Sequence, residues 1–111
     1  MSKPNQQALP HGTLSILVLQ TLHSIGPLHG YAIARRIEQV AGSRVSQGAI
    51  YPVLIRLEQE RWVGTEWGLS ETNRRVKFYA LTKAGRKQLN AEVADWQRAS
   101  ALVTRFLGAK P

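Results

Sequence analysis

No cysteine occurs among the 111 residues, so disulfides, thiol nucleophiles and thiolate metal sites are excluded together, and the chain fits a reducing compartment. Long apolar runs are missing too. The longest, Leu14 to Leu19, leads into Gln20, Thr21, His23 and Ser24, well short of the roughly 20 apolar residues a membrane-spanning helix needs. The first ten residues are polar and include one lysine but no apolar stretch, unlike a secretory signal, so a cytoplasmic protein is expected. Acids are scarce, seven against fifteen Lys and Arg. They form no cluster of metal-ligand spacing, and no nucleophile stands beside a base. His11, His23 and His29 are dispersed, and neither a P-loop nor a dinucleotide fingerprint is present. No metal, cofactor or enzymatic activity is therefore expected.

What is present is positive charge. A net charge of +8 favours polyanionic partners, because neutralising phosphates releases condensed counterions. Nucleic acid leads as the partner class, ahead of an anionic membrane surface. Four cations precede residue 46, five lie between 46 and 81, and six follow, so charge alone does not locate the site. With 43% hydrophobic and 20% charged residues the composition is that of a packed domain. The length allows one hydrophobic core plus one added element rather than two domains.

Leu14, Leu17, Val18, Leu22 and Ile25 recur at helical spacing and predict a first helix from Gly12 to Ile25, with Thr13 as N-cap. Ile16 and Leu19 lie on its second face, so another element should cover that side. Gly26-Pro27 breaks this helix. Ile33, Ala34, Ile37 and Val40 form the inner side of a second, from His29 to Val40, with Arg35, Arg36, Glu38 and Gln39 outward and Gly42 as its left-handed stop. Ser46 caps a third helix to about Arg61, with Ile50, Val53, Leu54 and Leu57 as its buried stripe. Two short helices joined by a tight turn suggest helix-turn-helix. Pro52 lacks the N–H that would reach the carbonyl near Gly48, so the first turn should be distorted.

After Arg61 the pattern changes to period two. Trp62 to Trp67 and Arg74 to Leu81 read as a β-hairpin with a flexible tip at 68–73. Thr82 then caps a fourth helix to about Leu107, ended by Gly108. Along it Leu89, Val93, Trp96, Ser100, Val103 and Leu107 alternate steps of four and three, the repeat by which helices pack on helices. Ala99, Leu102 and Phe106 widen this stripe beyond what packing on its own domain requires, so a second subunit is expected there. The fold class is mainly α with a small β-hairpin. Residues 1–81 are expected to form a helix-turn-helix DNA-binding domain led by a flexible arm at 1–10, with residues 82–111 a C-terminal dimerisation helix in the same folding unit.

The order helix, helix, helix, hairpin, helix combines with four motifs: Gly12-Thr13-Leu14, Gly26-Pro27-Leu28-His29-Gly30-Tyr31, Gln47-Gly48-Ala49-Ile50-Tyr51-Pro52 and Leu81-Thr82-Lys83-Ala84-Gly85. Together they resemble the PadR-like transcriptional regulators, over Leu9 to Leu107, in the compact branch with a single C-terminal helix. That resemblance implies a winged helix-turn-helix homodimer that binds duplex DNA, with the third helix in the major groove, the hairpin as a wing, and the C-terminal helix as the dimer contact. It also implies repression.

If Ile50, Leu54 and Leu57 point inward, Gly48, Pro52, Ile55 and Gln59 turn outward, with Gln47 and Tyr51 on the flank. A recognition helix meets bases mainly through its N-terminal turns, which favours Ser46, Gln47, Gly48 and Tyr51 as readers. Gln47 suits an adenine edge, Tyr51 a phosphate, and Gly48 lets the backbone approach. Ile55 either meets a thymine methyl or packs beneath the wing. By the resemblance, Arg74, Arg75 and Lys77 belong to a basic wing that reaches phosphates or a narrow minor groove. Arg56, with Arg35, Arg36 and Arg44, is a candidate backbone anchor. At the start of the second helix, backbone amides of His29 to Tyr31 either face a phosphate or serve packing, with Gly30 permitting close approach and Tyr31 filling space beneath it. The expected dimer interface comprises Leu89, Val93, Trp96, Val103, Phe106 and Leu107, and by resemblance Trp96 can stack on a small planar aromatic effector between subunits. Two-fold symmetry predicts a pseudo-palindromic operator. The alternative is a winged-helix protein-interaction module without sequence-specific DNA reading, kept open by the acids Glu58, Glu60, Glu66 and Glu71 near the proposed DNA face.

Overall fold

The computed structural model describes residues 12–111; the arm expected at 1–10 lies outside them, as does His11. The order is α1 (Leu14–Ile25), β1 (Leu28–His29), α2 (Gly30–Ala41), α3 (Gln47–Gln59), β2 (Val63–Leu69), β3 (Arg75–Leu81) and α4 (Lys83–Gly108). In α1, Thr13 stands at the N-cap position, but its backbone is helical and its side chain makes no cap hydrogen bond. The buried residues are Val18, Leu19, Thr21 and Leu22, while Ile25, expected inward, is 49% exposed. Because α1 touches α2, α3, β3 and α4, it is covered from several directions, and its second face joins the core through Leu19, with Ile16 packed against it.

The strand β1 has no counterpart in the sequence reading, since two residues carry no period. It forms because β3 offers an edge, pairing Leu28 with Tyr79 and His29 with Phe78 in a sheet of order β1-β3-β2. At the start of α2 the His29 Nδ1 accepts from the Ala32 N–H at 3.4 Å. Gly42 ends this helix at φ 70°, as its sequence position predicts. Ile33, Ala34 and Ile37 are buried, whereas Val40 is 70% exposed. The whole last turn, residues 39–42, stands in solvent, so helical spacing alone overstates the inner face.

Ser46 Oγ accepts from the Ala49 N–H at 3.1 Å and so caps α3. The Ser46 carbonyl takes N–H donors from both Ala49 and Ile50, a tightened first turn ahead of Pro52, where the helix nevertheless continues unbroken. Ile50, Leu54 and Leu57 have no exposed surface and Val53 packs beside them. The helix stops at Gln59 rather than Arg61, whose φ of 60° turns the chain into β2. β2 runs to Leu69, beyond the Trp67 that the alternation suggested, while β3 starts at Arg75 rather than Arg74; the two pair from Val63 with Leu81 out to Leu69 with Arg75. The turn is held by Ser70: its N–H donates to the Arg74 carbonyl and its Oγ accepts from the Arg74 N–H.

Thr82 locks α4 to the hairpin base. Its Oγ1 accepts from the Gly85 N–H and donates to the Arg61 carbonyl, while its own N–H donates to the Trp62 carbonyl. A Cβ on Gly85 would lie 1.9 Å from that same Trp62 oxygen, so only glycine lets the helix sit here. The first three turns of α4 pack on the body through Leu89 and Val93. From residue 95 onward the helix is exposed, over roughly 20 Å at 1.5 Å per residue.

Candidate nucleic-acid interface

The capping of α3 by Ser46 fixes which side chains leave its first turns outward. Gln47 and Tyr51 do so, and both line an open groove of about 1350 Å³ bounded by α2, α3 and the hairpin. Arg74, Arg75 and Lys77 line the same groove from the hairpin, and Arg35 and Arg36 line it from α2. Five cations thus border it, with Glu71 the acid among the lining residues. Such a surface attracts a polyanion and presents an amide and a phenol hydroxyl at its floor.

Tyr51 is 44% exposed and rests on the start of α2. A Cβ on Gly30 would come within 3.3 Å of its ring, so Gly30 performs the close packing expected of it. Tyr31 does not fill space beneath: it is 57% exposed, lies parallel to the His29 ring at 6.4 Å, and lines the groove. A residue immediately after a helix start is aimed by the helix rotation, and here that rotation is set by Ile33 and Ile37.

The remaining expected readers divide. Ser46 Oγ accepts the cap bond from the Ala49 N–H, which leaves its O–H able to donate, and a Cβ on exposed Gly48 would meet nothing closer than Ser46 Oγ at 3.9 Å, which leaves room for a backbone approach. Ile55 is 54% exposed rather than packed away. Arg56 stands outside the groove, its guanidinium 5.8 Å from the Trp62 ring centre. Arg75 lies 5.1 Å over the Trp67 ring, which holds its charge at the strand end near the tip. Trp67 and Leu69, both exposed, line the groove and went unnoticed in the sequence, although alternation in β2 places them on one face with Thr65.

Lys77 has a partner. Its Nζ donates to Glu58 Oε1 at 2.9 Å, and Thr65 Oγ1 donates to Glu58 Oε2 at 3.2 Å. The hydrogen bond from Lys77 holds the Glu58 carboxyl below its ordinary value, and the same bond raises the Lys77 ammonium. Of the three cations expected at the wing, Arg74 and Arg75 remain without an acidic partner among the ion pairs of the described residues.

On α4, Leu89 is 3% exposed and belongs to the core of its own protomer, and Val93 is partly buried against that core. Trp96, Val103, Phe106 and Leu107 are 55%, 56%, 75% and 83% exposed. The apolar stripe therefore begins inside the body and continues bare beyond it. No group of His, Cys, Asp and Glu among the described residues can hold a metal ion, and no helix among them is long and apolar enough to cross a membrane.

Residues 18–91 match the model of the PadR-like family of transcriptional regulators. A PadR family transcriptional regulator from Eggerthella lenta DSM 2243 superposes with a TM-score of 0.79 at 28% identity, covering 89% of this chain and 85% of that one. A PadR family regulator from Clostridium difficile R20291 superposes at 0.75 with 26% identity, covering 87% and 100%. A 37.1 kDa protein of unassigned function in transposon TN4556 of Streptomyces fradiae is 45% identical over 78 residues, 70% of this chain. The match spans only 21% of that relative's length.

Proposed function

Since the chain belongs to the PadR-like family of transcriptional regulators, a family of DNA-binding regulators rather than enzymes, we propose that it reads duplex DNA as a homodimer and represses transcription from a pseudo-palindromic operator. The observation that carries this reading is one groove bringing Gln47 and Tyr51 of α3 together with Arg74 and Arg75 of the hairpin. With the first turns of α3 in the major groove, Gln47 addresses a base edge, Tyr51 a phosphate, and the hairpin acts as a wing whose two arginines follow the flanking backbone. Gly48 and the capped N-terminus of α3 let backbone amides approach the same strand.

The second copy binds through the bare stripe of α4, Trp96, Val103, Phe106 and Leu107, which is too large and contiguous to be left in water. Two-fold pairing then spaces two α3 helices about one helical turn apart, roughly 10 bp or a multiple. Trp96, placed where the stripe leaves the body, is the residue on which a planar aromatic effector would stack. The test is a selection of the purified chain against a random duplex library at near-physiological salt. An enriched two-fold motif with half-sites a turn apart is expected. Retention of all sequences alike, fading as salt rises, would replace this reading with a basic interaction module that does not discriminate sequence.

A further inference from the structure

Glu58 occupies an electrostatically poor position. It lies near the C-terminal end of α3, where the helix dipole already presents negative charge, and on the helix proposed to face a polyanion. Yet its one carboxylate bonds to both strands of the hairpin, to Thr65 on β2 and Lys77 on β3. Among the described residues these are the side-chain hydrogen bonds that join α3 to the hairpin. Below them the strands are anchored by buried Val63 and Tyr79; above them Trp67, Leu69 and the tip extend into the groove with exposed side chains.

We propose that Glu58 is a positioning residue, fixing the angle of the wing to the recognition helix through Thr65 and Lys77 while keeping Lys77 off the DNA. This rests on the DNA-reading function above and names a determinant of its specificity. From Thr65 to Leu69 the strand rises roughly 13 Å at 3.3 Å per residue, so a tilt of about 10° at the Glu58 level displaces the tip arginines by about 2 Å, enough to lose a hydrogen bond. The pair neutralises both charges locally, leaving Arg74 and Arg75 to supply the wing's counterion release. The pair's side chains are 32% and 37% exposed, a setting in which an ion pair adds little to stability; geometry is the larger consequence.

The experiment compares the intact chain with E58Q, K77Q, K77R and the double variant E58Q/K77Q, titrating salt on the selected operator and on an unrelated duplex. E58Q frees Lys77 and should steepen the slope of log affinity against log salt by about 0.9, while the ratio of operator to unrelated affinity falls about tenfold, the scale of one spoiled base contact, because the wing's phosphate contacts hold the register in which α3 meets the bases. K77Q should leave the slope unchanged and lower the ratio equally. The double variant should match both single ones in the ratio, since the two residues act as a unit, and match K77Q in its unchanged slope, because no lysine is left to be freed; K77R should restore the ratio. A K77Q slope flattened by about 0.9 would overturn the proposal, because Lys77 would then be a phosphate ligand. An E58Q protein with unaltered slope and ratio would overturn it as well. If the unaltered chain binds both duplexes alike, the reading of DNA sequence fails, and the E58Q and K77Q slopes on the unrelated duplex still decide whether Glu58 masks Lys77.

Discussion

Replacing Gly85 by alanine should destabilise the protein, although helix propensity alone favours the change by about 1 kcal/mol. Gly85 is the third residue of α4, and an alanine methyl there would meet the Trp62 carbonyl oxygen at 1.9 Å and Leu81 Cδ1 at 2.8 Å. The oxygen is backbone and cannot rotate away, so the start of α4 must lift from the hairpin base. That movement stretches the bonds from the Thr82 N–H to Trp62 and from Thr82 Oγ1 to Arg61, now 3.1 and 2.8 Å, each worth about 1 kcal/mol net. Overpacking of this kind costs about 1–3 kcal/mol in its own right. The favourable propensity offsets part, leaving a net loss of about 2 kcal/mol and a fall in melting temperature on the order of 10 °C. Urea and thermal unfolding at matched protein concentration measure it. Gly108, whose Cβ would meet nothing within 4 Å, supplies the control, and G108A should be neutral or slightly stabilising. A G85A protein as stable as the parent would refute the packing argument.

Three further outcomes are expected. S46A should lower stability by about 1 kcal/mol, read as a shifted urea midpoint with unchanged slope, because the Ala49 N–H loses its cap. V103E should convert the proposed dimer to a monomer in sedimentation, while retaining its helical circular dichroism, since Val103 is 56% exposed in the single chain and touches none of its core; an unchanged mass would place the subunit contact elsewhere. The Glu58–Lys77 pair sets a pH window. A carboxyl held below its ordinary value contributes stability that is present above 4.5 and lost as pH falls through the depressed value. The raised ammonium contributes below 10.5 and loses that contribution at higher pH. The urea midpoints of the parent and E58Q should therefore converge as pH falls below 4.5 and through the depressed value, and a constant difference would show that the charge on Glu58 carries none of the effect.

Much of α3 was legible because its determinants are local. Ser46 three residues before Ala49, and Ile50, Leu54 and Leu57 at steps of four and three, specify a capped helix and its inner face without reference to anything distant. The same holds for Gly42, Thr82 and the hairpin strands, and it is why Gln47 and Tyr51, on the flank of the buried stripe near the N-terminus, could be chosen as candidate readers. Val40 and Tyr31 show where spacing stops informing: both obey helical periodicity, but whether a helix face meets another element depends on how far the neighbour extends. Leu89 obeys the α4 repeat yet lies in its own domain's core, because the repeat records which residues are apolar and not which body they cover.

The sequence by itself determined the α3 cap, the helical stripes, the stop at Gly42 and the motif order that places the chain in its family, all properties of residues within a turn or two of one another. Only the tertiary structure decided that β1 exists, that Gly85 must lack a side chain, and that Lys77 answers to Glu58, nineteen positions away. Each of these depends on a surface created by distant segments: an open β3 edge, a carbonyl on the hairpin base, a carboxylate standing between two strands. Local spacing specifies which way a side chain leaves its own backbone, but the atom it meets is fixed only when the strands have paired and the helices have packed.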